Sequence, residues 1–243
     1  MQISNKAPQQ FTLNIKLRDG FRFDSFYCGE SASNAEVLTL LQDFLSIRNK
    51  AQQAVIWGAS LSGKTHLLQA ACAKDSEAQQ VVSYIPLKII KQSGIEVLSG
   101  HNQAHLIVID DIDQVVGDLT WETALFNLIN ESRENKQLLL MSVTQNPRML
   151  ECQLPDLASR LIWGSSYQIQ ALSDEETLTA LQLRAKKRGF VLNDLVISYL
   201  HRRYPRDIES LMEVLDKLDE ASLQQKARIT IPFVKKVLEQ VNI

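Results

Sequence analysis

Eight residues, Gly58-Ala59-Ser60-Leu61-Ser62-Gly63-Lys64-Thr65, constrain this chain more than any other segment. They match the pattern GxxxxGK[ST] at every fixed position. At average residue frequencies a chain of 243 residues matches it by chance with probability on the order of 0.01. The apolar run 54–57 precedes the loop and a helical pattern over 63–73 follows it, the context a phosphate-binding loop needs. Glycines let the backbone wrap a phosphate closely. Backbone N–H groups and the helix N-terminus then face the anion. Lys64 is expected to reach the β- and γ-phosphates of a nucleotide, and Thr65 to ligate Mg²⁺. His66 follows directly and is taken with the nucleotide-contacting residues.

The loop sits in a repeating strand–helix pattern. Apolar runs at 54–57, 106–109 and 138–143 read as strands buried on both faces, and 81–85 as a β-branched strand. Helical patterns at 63–73, 88–98 and 120–133 lie between them. Such alternation predicts a parallel sheet covered by helices. Upstream, Phe11, Leu13, Ile15 and Leu17 alternate like a strand, and 33–49 reads as a helix with Ser33 and Glu36 as a capping box. After Gln170 the pattern is helical only: Ser173 and Glu176 open one helix, Gly189 closes it, and helices over 193–202, 205–218 and 231–241 follow. Three segments result: a tail over 1–19, an α/β body over 20–168 and an all-α part over 169–243.

Composition excludes several classes. Hydrophobic residues make up 45% and charged residues 22%, an ordinary globular balance. The net charge is -2, and the all-α part carries 12 basic against 11 acidic residues, so a strong direct DNA binder is not expected. Cys28, Cys72 and Cys152 are scattered and odd in number, as in a reducing compartment. No apolar signal core opens the chain and no run approaches a membrane span, so a cytoplasmic location without membrane contact is expected.

Four further elements follow the loop in order. Leu106-Ile107-Val108-Ile109 runs into Asp110-Asp111, which places acids at the carboxyl end of the sheet. Asp110 is expected to hold Mg²⁺ through water and Asp111 to orient an attacking water. The strand 138–143 ends at Thr144, whose hydroxyl either faces the γ-phosphate or bonds its own turn. Arg160 lies on a short helix after Pro155, and Arg206 starts a helix in the all-α part. Each arginine is suited to phosphoryl charge, but for either one alone the residues favour a surface salt bridge.

Taken in this order, the elements resemble the AAA+ ATPases: Walker A, Walker B, sensor 1, an arginine-finger box at Ser159-Arg160, and sensor 2 at Arg206 in a helical lid. Phe23-Asp24-Ser25-Phe26-Tyr27-Cys28-Gly29 followed by Asn34 resembles the opening box of the DnaA-type initiators. There Phe26 and Tyr27 are implied to lie beside the nucleotide base. Pro155-Asp156-Leu157-Ala158-Ser159-Arg160-Leu161, Leu172-Ser173-Asp174-Glu175 and Thr230-Ile231-Pro232-Phe233-Val234-Lys235 narrow the resemblance to the Hda family of DnaA-related regulators of replication initiation.

That resemblance implies an α/β fold of the AAA+ P-loop NTPase type, with a parallel five-stranded sheet sandwiched by helices and an all-α lid. It implies ADP or ATP with Mg²⁺, and ADP as a conformational ligand. It implies two partners: the β sliding clamp of DNA polymerase III, bound through Gln10, Phe11, Leu13 and Ile15, and DnaA, whose ATP hydrolysis Arg160 promotes in trans from a helix after the fifth core strand. Head-to-tail self-assembly is a further implication. Phe11 stands where the clamp motif usually has Leu, and Thr144 where DnaA-like proteins usually carry Asp. The second departure leaves turnover of the chain's own ATP open. The alternatives are a self-contained ATPase or helicase-loading factor, and a DNA-binding initiator. The sequence given ends at Ile243 without a helix-turn-helix pattern, which speaks against the last.

Overall fold

The computed structural model describes residues 21–46, 52–204 and 208–239. The chain divides into two compact units. The first takes in Ala35–Ala59 and Gly63–Ile169, joined by 21–26; the second takes in Tyr27–Asn34, Ser60–Ser62 and the segment from Gln170 onward.

The first unit is built on a five-stranded parallel sheet of β1 (Gln52–Trp57), β2 (Val82–Pro86), β3 (Leu106–Asp110), β4 (Leu138–Val143) and β5 (Ser165–Gln168), in the order β2-β3-β4-β1-β5. Around it run α1 (Ala32–Ser46), α2 (Lys64–Glu77), α3 (Leu87–Ile90), α4 (Leu119–Glu134) and α5 (Pro155–Leu161). Side chains leave a strand on alternate faces. Val55, Ile107, Ile109, Leu139, Met141 and Val143 therefore join one buried cluster, with Leu125 and Ile129 of α4 and Leu157 of α5. Ala54, Ile56, Leu106, Val108, Leu138 and Leu140 join the other, with Leu41 of α1 and Leu67 and Leu68 of α2. Both faces are covered, as a parallel sheet requires. The register sets Trp57 beside Val143 and Ile109 beside Met141, so β1, β3 and β4 end together.

Three details differ from the pattern read in the sequence. The helix expected over 88–98 is broken: α3 stops at Ile90, and 3-10 turns at Lys91–Ser93 and Ile95–Leu98 flank Gly94 at φ 89° and ψ 169°. That backbone cannot continue a helix. Ser33 lies inside α1 and does not cap it; Ser31 supplies the hydroxyl, accepting the Asn34 N–H at 3.4 Å. The helix bearing Arg160, expected after the fifth strand, follows β4, and β5 comes after it. The strand-like alternation at 11–17 lies outside the described residues.

The second unit packs α6 (Asp174–Lys187), α7 (Asp194–Arg203), α8 (Ile208–Gln225) and α9 (Ile231–Glu239) around one core of Leu181, Val196, Leu200, Leu211, Leu215, Leu218 and Val234. Ser173 and Glu176 form the reciprocal capping box of α6, and Gly189 follows its end at φ 85°. The side chain of Asn193 caps α7 by accepting the Val196 N–H at 2.8 Å. Segment 27–34 belongs to this unit through Asn34, whose amide nitrogen donates to the Cys28 and Gln170 carbonyls at 3.1 Å each. Glu176 accepts the Glu30 N–H at 2.7 Å. Among the described residues no helix is long and apolar enough to cross a membrane.

Candidate functional site

Strand polarity brings three chain segments to one edge of the sheet. Gly58 leaves the end of β1, Asp110 ends β3, and Thr144 follows β4, which lies between them. Gly63, at φ 96°, is the N-cap of α2. A Cβ there would sit 2.7 Å from the Phe26 ring, so only glycine fits. Leu61 has φ 65°, and strain of this kind persists where the surrounding structure over-determines the backbone.

Lys64 is buried and its ammonium donates to the carbonyl oxygens of Gly58 at 2.8 Å and Ala59 at 2.9 Å. Burial pulls its pKa down, and the nearby charges of Asp111, Asp113 and Asp110 oppose that shift. The side chain thus curls back over its own loop. Thr65 stands in the first turn of α2.

Asp110 is held at both oxygens. Tyr84 of β2 donates its hydroxyl to Oδ2 at 2.9 Å, and Ser142 of β4 donates to Oδ1. Gln69 of α2 in turn donates to the Tyr84 oxygen at 3.3 Å. Burial and the Asp110 carboxylate push the Tyr84 phenol well up, so it stays a donor. Asp111 takes the left-handed conformation, φ 59° and ψ 51°, and its backbone N–H donates to Ser142 Oγ at 2.9 Å. Burial, then the charges of Asp110 and Asp113, push its carboxyl up to about 6. Asp113 accepts the Thr144 N–H at 2.8 Å, which fixes the end of β4. The Thr144 hydroxyl bonds nothing among the described residues, so it does not close its own turn. Tyr84, Ser142 and Asp113 were not singled out in the sequence. The one polar residue in the run 138–143, two positions before Thr144, was the available signal for Ser142.

An aromatic corner borders the start of α2. His66 stacks on Phe21 at 4.5 Å between ring centroids and meets Phe26 edge-on at 5.4 Å. Its Nε2 lies 3.0 Å from the Arg22 carbonyl and 3.2 Å from Ser25 Oγ. Tyr27 belongs to the second unit, as do Ser60 to Ser62. Arg206 and the tail residues Gln10, Phe11, Leu13 and Ile15 lie outside the described residues.

Arg160 is not gathered with this edge. Its carbonyl, and that of Trp163, accept the Gln53 amide nitrogen at 2.6 and 2.7 Å, at the opposite end of β1. From Gln53 to Gly58 the strand spans roughly 16 Å. The Arg160 guanidinium lies over the Phe126 ring, 5.7 Å from its centroid, and forms no ion pair among the described residues.

The residues fit a nucleotide and a divalent cation. Ser62 Oγ is buried with no hydrogen-bond partner, a polar group awaiting an acceptor or donor at the loop. Thr65 and Asp110 are hard oxygen donors suited to Mg²⁺. Each Asp110 oxygen already accepts one hydroxyl, so a metal-bound water suits its remaining lone pairs.

Comparison with known proteins places these features. Residues 17–168 match the family model described as the bacterial DnaA ATPase domain, and residues 174–238 match that of the Hda lid domain. Domain III of the Thermotoga maritima replication initiation protein DnaA is similar, with a TM-score of 0.71, 17% identity, and coverage of 93% of this chain and 98% of that one. AMPPCP-bound DnaA from Aquifex aeolicus is similar at a TM-score of 0.66 and 19% identity, covering 86% and 70%. Thermotoga maritima RuvB is similar at 0.61 and 17%, covering 92% and 72%. The fold is thus that of the AAA+ P-loop NTPases, and the chain belongs to the family of the bacterial DnaA ATPase domain, with a lid of the Hda type.

Proposed function

We propose that this chain regulates bacterial replication initiation by promoting hydrolysis of ATP held by DnaA. It binds ADP or ATP with Mg²⁺ at residues 58–66, with Asp110, Thr144 and Arg206 as further nucleotide-contacting residues and Phe26 and Tyr27 toward the base. The nucleotide acts as a conformational ligand, binding one state better than another. Gln10, Phe11, Leu13 and Ile15 tether the chain to the β sliding clamp of DNA polymerase III.

The observation that carries this reading is the position of Arg160. Its backbone is tied to the amino end of β1, while the phosphate loop leaves the carboxyl end. An arginine so placed is out of reach of its own loop and available to a neighbour's. Its planar guanidinium suits charge developing on a transferring phosphoryl group. The Hda-type lid and the DnaA-type body support DnaA as that neighbour.

A second reading, turnover of the chain's own ATP, is favoured by Asp111. A carboxyl near pH 6 at the end of β3 is suited to accept a proton from water at neutral pH. One experiment separates the two. Conversion of ATP-DnaA to ADP-DnaA is measured with clamp-loaded DNA, beside ATP turnover by the isolated chain. The first reading expects conversion that requires the clamp and little turnover alone. Brisk turnover alone, with no effect on DnaA, favours the second.

A further inference from the structure

Glu122 lies in the first turn of α4 with no solvent exposure. Its Oε1 accepts the Gly117 N–H at 2.7 Å and its Oε2 accepts the Leu154 N–H at 2.6 Å. Gly117 belongs to the loop before α4. Leu154 is the N-cap of α5 and offers no side-chain cap of its own. Gln153 closes the connection by donating its amide to the Gly117 carbonyl. One buried carboxylate thus staples the loop entering α5 to the loop entering α4. A buried charge is tolerated only when so satisfied, and bonds from N–H groups to a carboxylate are the strong kind.

The same face of α4 meets the rest of α5. Phe126, one turn on from Glu122, lies under the Arg160 guanidinium. Arg133, two turns further, stacks its guanidinium over Trp163 just past the end of α5, at 4.0 Å. Helix α5 has seven residues, too few to hold its own axis. Its direction is set by α4 together with the buried Leu157 and Leu161 and the Gln53 bonds to the Arg160 and Trp163 carbonyls, and its N-terminal anchor is Glu122.

We propose that Glu122 is a positioning residue for Arg160. By fixing the start of α5 it sets the angle at which Arg160 is presented to a partner's nucleotide, without touching nucleotide itself. This rests on the trans-acting reading of Arg160.

The test uses the full chain and two variants. Glu122→Gln keeps the volume but turns an amide N–H toward one of two backbone donors, so one tie is lost. Gln153→Ala removes only the closing bond, from an exposed residue, and serves if the first variant does not fold. Hydrogen exchange of the backbone amides over 155–161 is expected to quicken at least about tenfold, while α2 is unchanged. ADP affinity stays within about twofold. The plateau rate of DnaA conversion falls at least about tenfold, at unchanged half-saturating concentration. A purely structural role predicts a fall in melting temperature with the plateau preserved. Unchanged exchange in α5 overturns the proposal. Full conversion by both variants, with none by Arg160→Ala, overturns the role of Glu122 alone. Full conversion by Arg160→Ala overturns both this role and the function on which it rests.

Discussion

The Ser142 hydroxyl donates to Oδ1 of Asp110, and Ser142 Oγ itself accepts the Asp111 N–H at 2.9 Å. One side chain on β4 therefore orients both acids that close β3. The strand between the phosphate loop and those acids is not a spacer; it sets the direction of the candidate metal carboxylate and the backbone of the candidate base.

Ser142→Ala is the first test of that arrangement. It leaves a buried carboxylate oxygen and a backbone N–H without partners. Loss of a hydrogen bond to a charged group costs roughly 1.5–3 kcal/mol. For a chain of this size that lowers the melting temperature by roughly 3–12 °C. Calorimetry should also show a loss of the Mg²⁺ dependence of ADP binding. Unchanged melting and unchanged Mg²⁺ dependence would show that Tyr84 alone suffices to hold Asp110.

Asp111 gives a pH-dependent prediction. Its carboxyl is raised from near 3.8 to about 6, so the folded chain holds this proton more tightly than the unfolded one. The stability this contributes is fully present below about pH 4 and is lost as pH rises through about 6. Asp111→Asn removes the charge and keeps a residue type that tolerates φ 59°. The variant should melt higher than the wild type at pH 7.5 and equally near pH 4, without nucleotide or metal. The gain is on the order of 1 kcal/mol, since the side chain is partly open to solvent screening. Equal melting at both pH values would mean that the carboxylate carries no strain.

Lys64→Ala should weaken ADP binding. The ammonium is buried over its own loop and would exchange the Gly58 and Ala59 carbonyls for phosphate oxygens. Losing a charge-assisted bond of roughly 1.5–3 kcal/mol corresponds to about a 10- to 150-fold loss of affinity. Calorimetric titration with ADP measures it directly. Unchanged affinity would move the nucleotide site elsewhere.

How much of this was legible beforehand depended on the type of signal. The phosphate loop, the strand running into Asp110 and the Ser173–Glu176 box follow local rules, and all three are in place. β5 did not stand out because Ser165 to Gln168 is mostly exposed and polar, an edge strand with no apolar run to mark it. It is held by pairing with β1 and by Gly164, at φ 94°, where a Cβ would lie 2.4 Å from the Gln53 carbonyl. The break at Gly94 was hidden by apolar spacing that continues on either side of it. Tyr84, Ser142 and Glu122 are single polar residues in apolar or helical surroundings, and only the packing of one element on another gives each its partner. Separation in sequence explains why pattern alone missed them: Ser142 and Asp110 are 32 positions apart.

Arg160→Ala is the decisive test of the trans-acting reading. The structure weakens the bland alternative, because Arg160 rests on Phe126 and forms no ion pair among the described residues. A cation–π contact of this kind contributes about 0.5–1 kcal/mol when partly exposed. The alanine variant should therefore melt within a few degrees of the wild type and bind ADP and the clamp normally. What it should lose is stimulation of DnaA, since arginine fingers in other systems are worth roughly 10³–10⁵ in rate. Arg160→Lys separates charge from shape: lysine keeps the charge and a contact with the ring but lacks the planar fork that meets two phosphate oxygens at once. It should stabilise as well as arginine and stimulate almost as poorly as alanine. The measurement is conversion of ATP-DnaA to ADP-DnaA on clamp-loaded DNA, with melting and ADP titration of each variant alongside. Wild-type conversion by Arg160→Ala would sink the mechanism. Full conversion by Arg160→Lys would reduce it to the delivery of a positive charge, with no role for the fork.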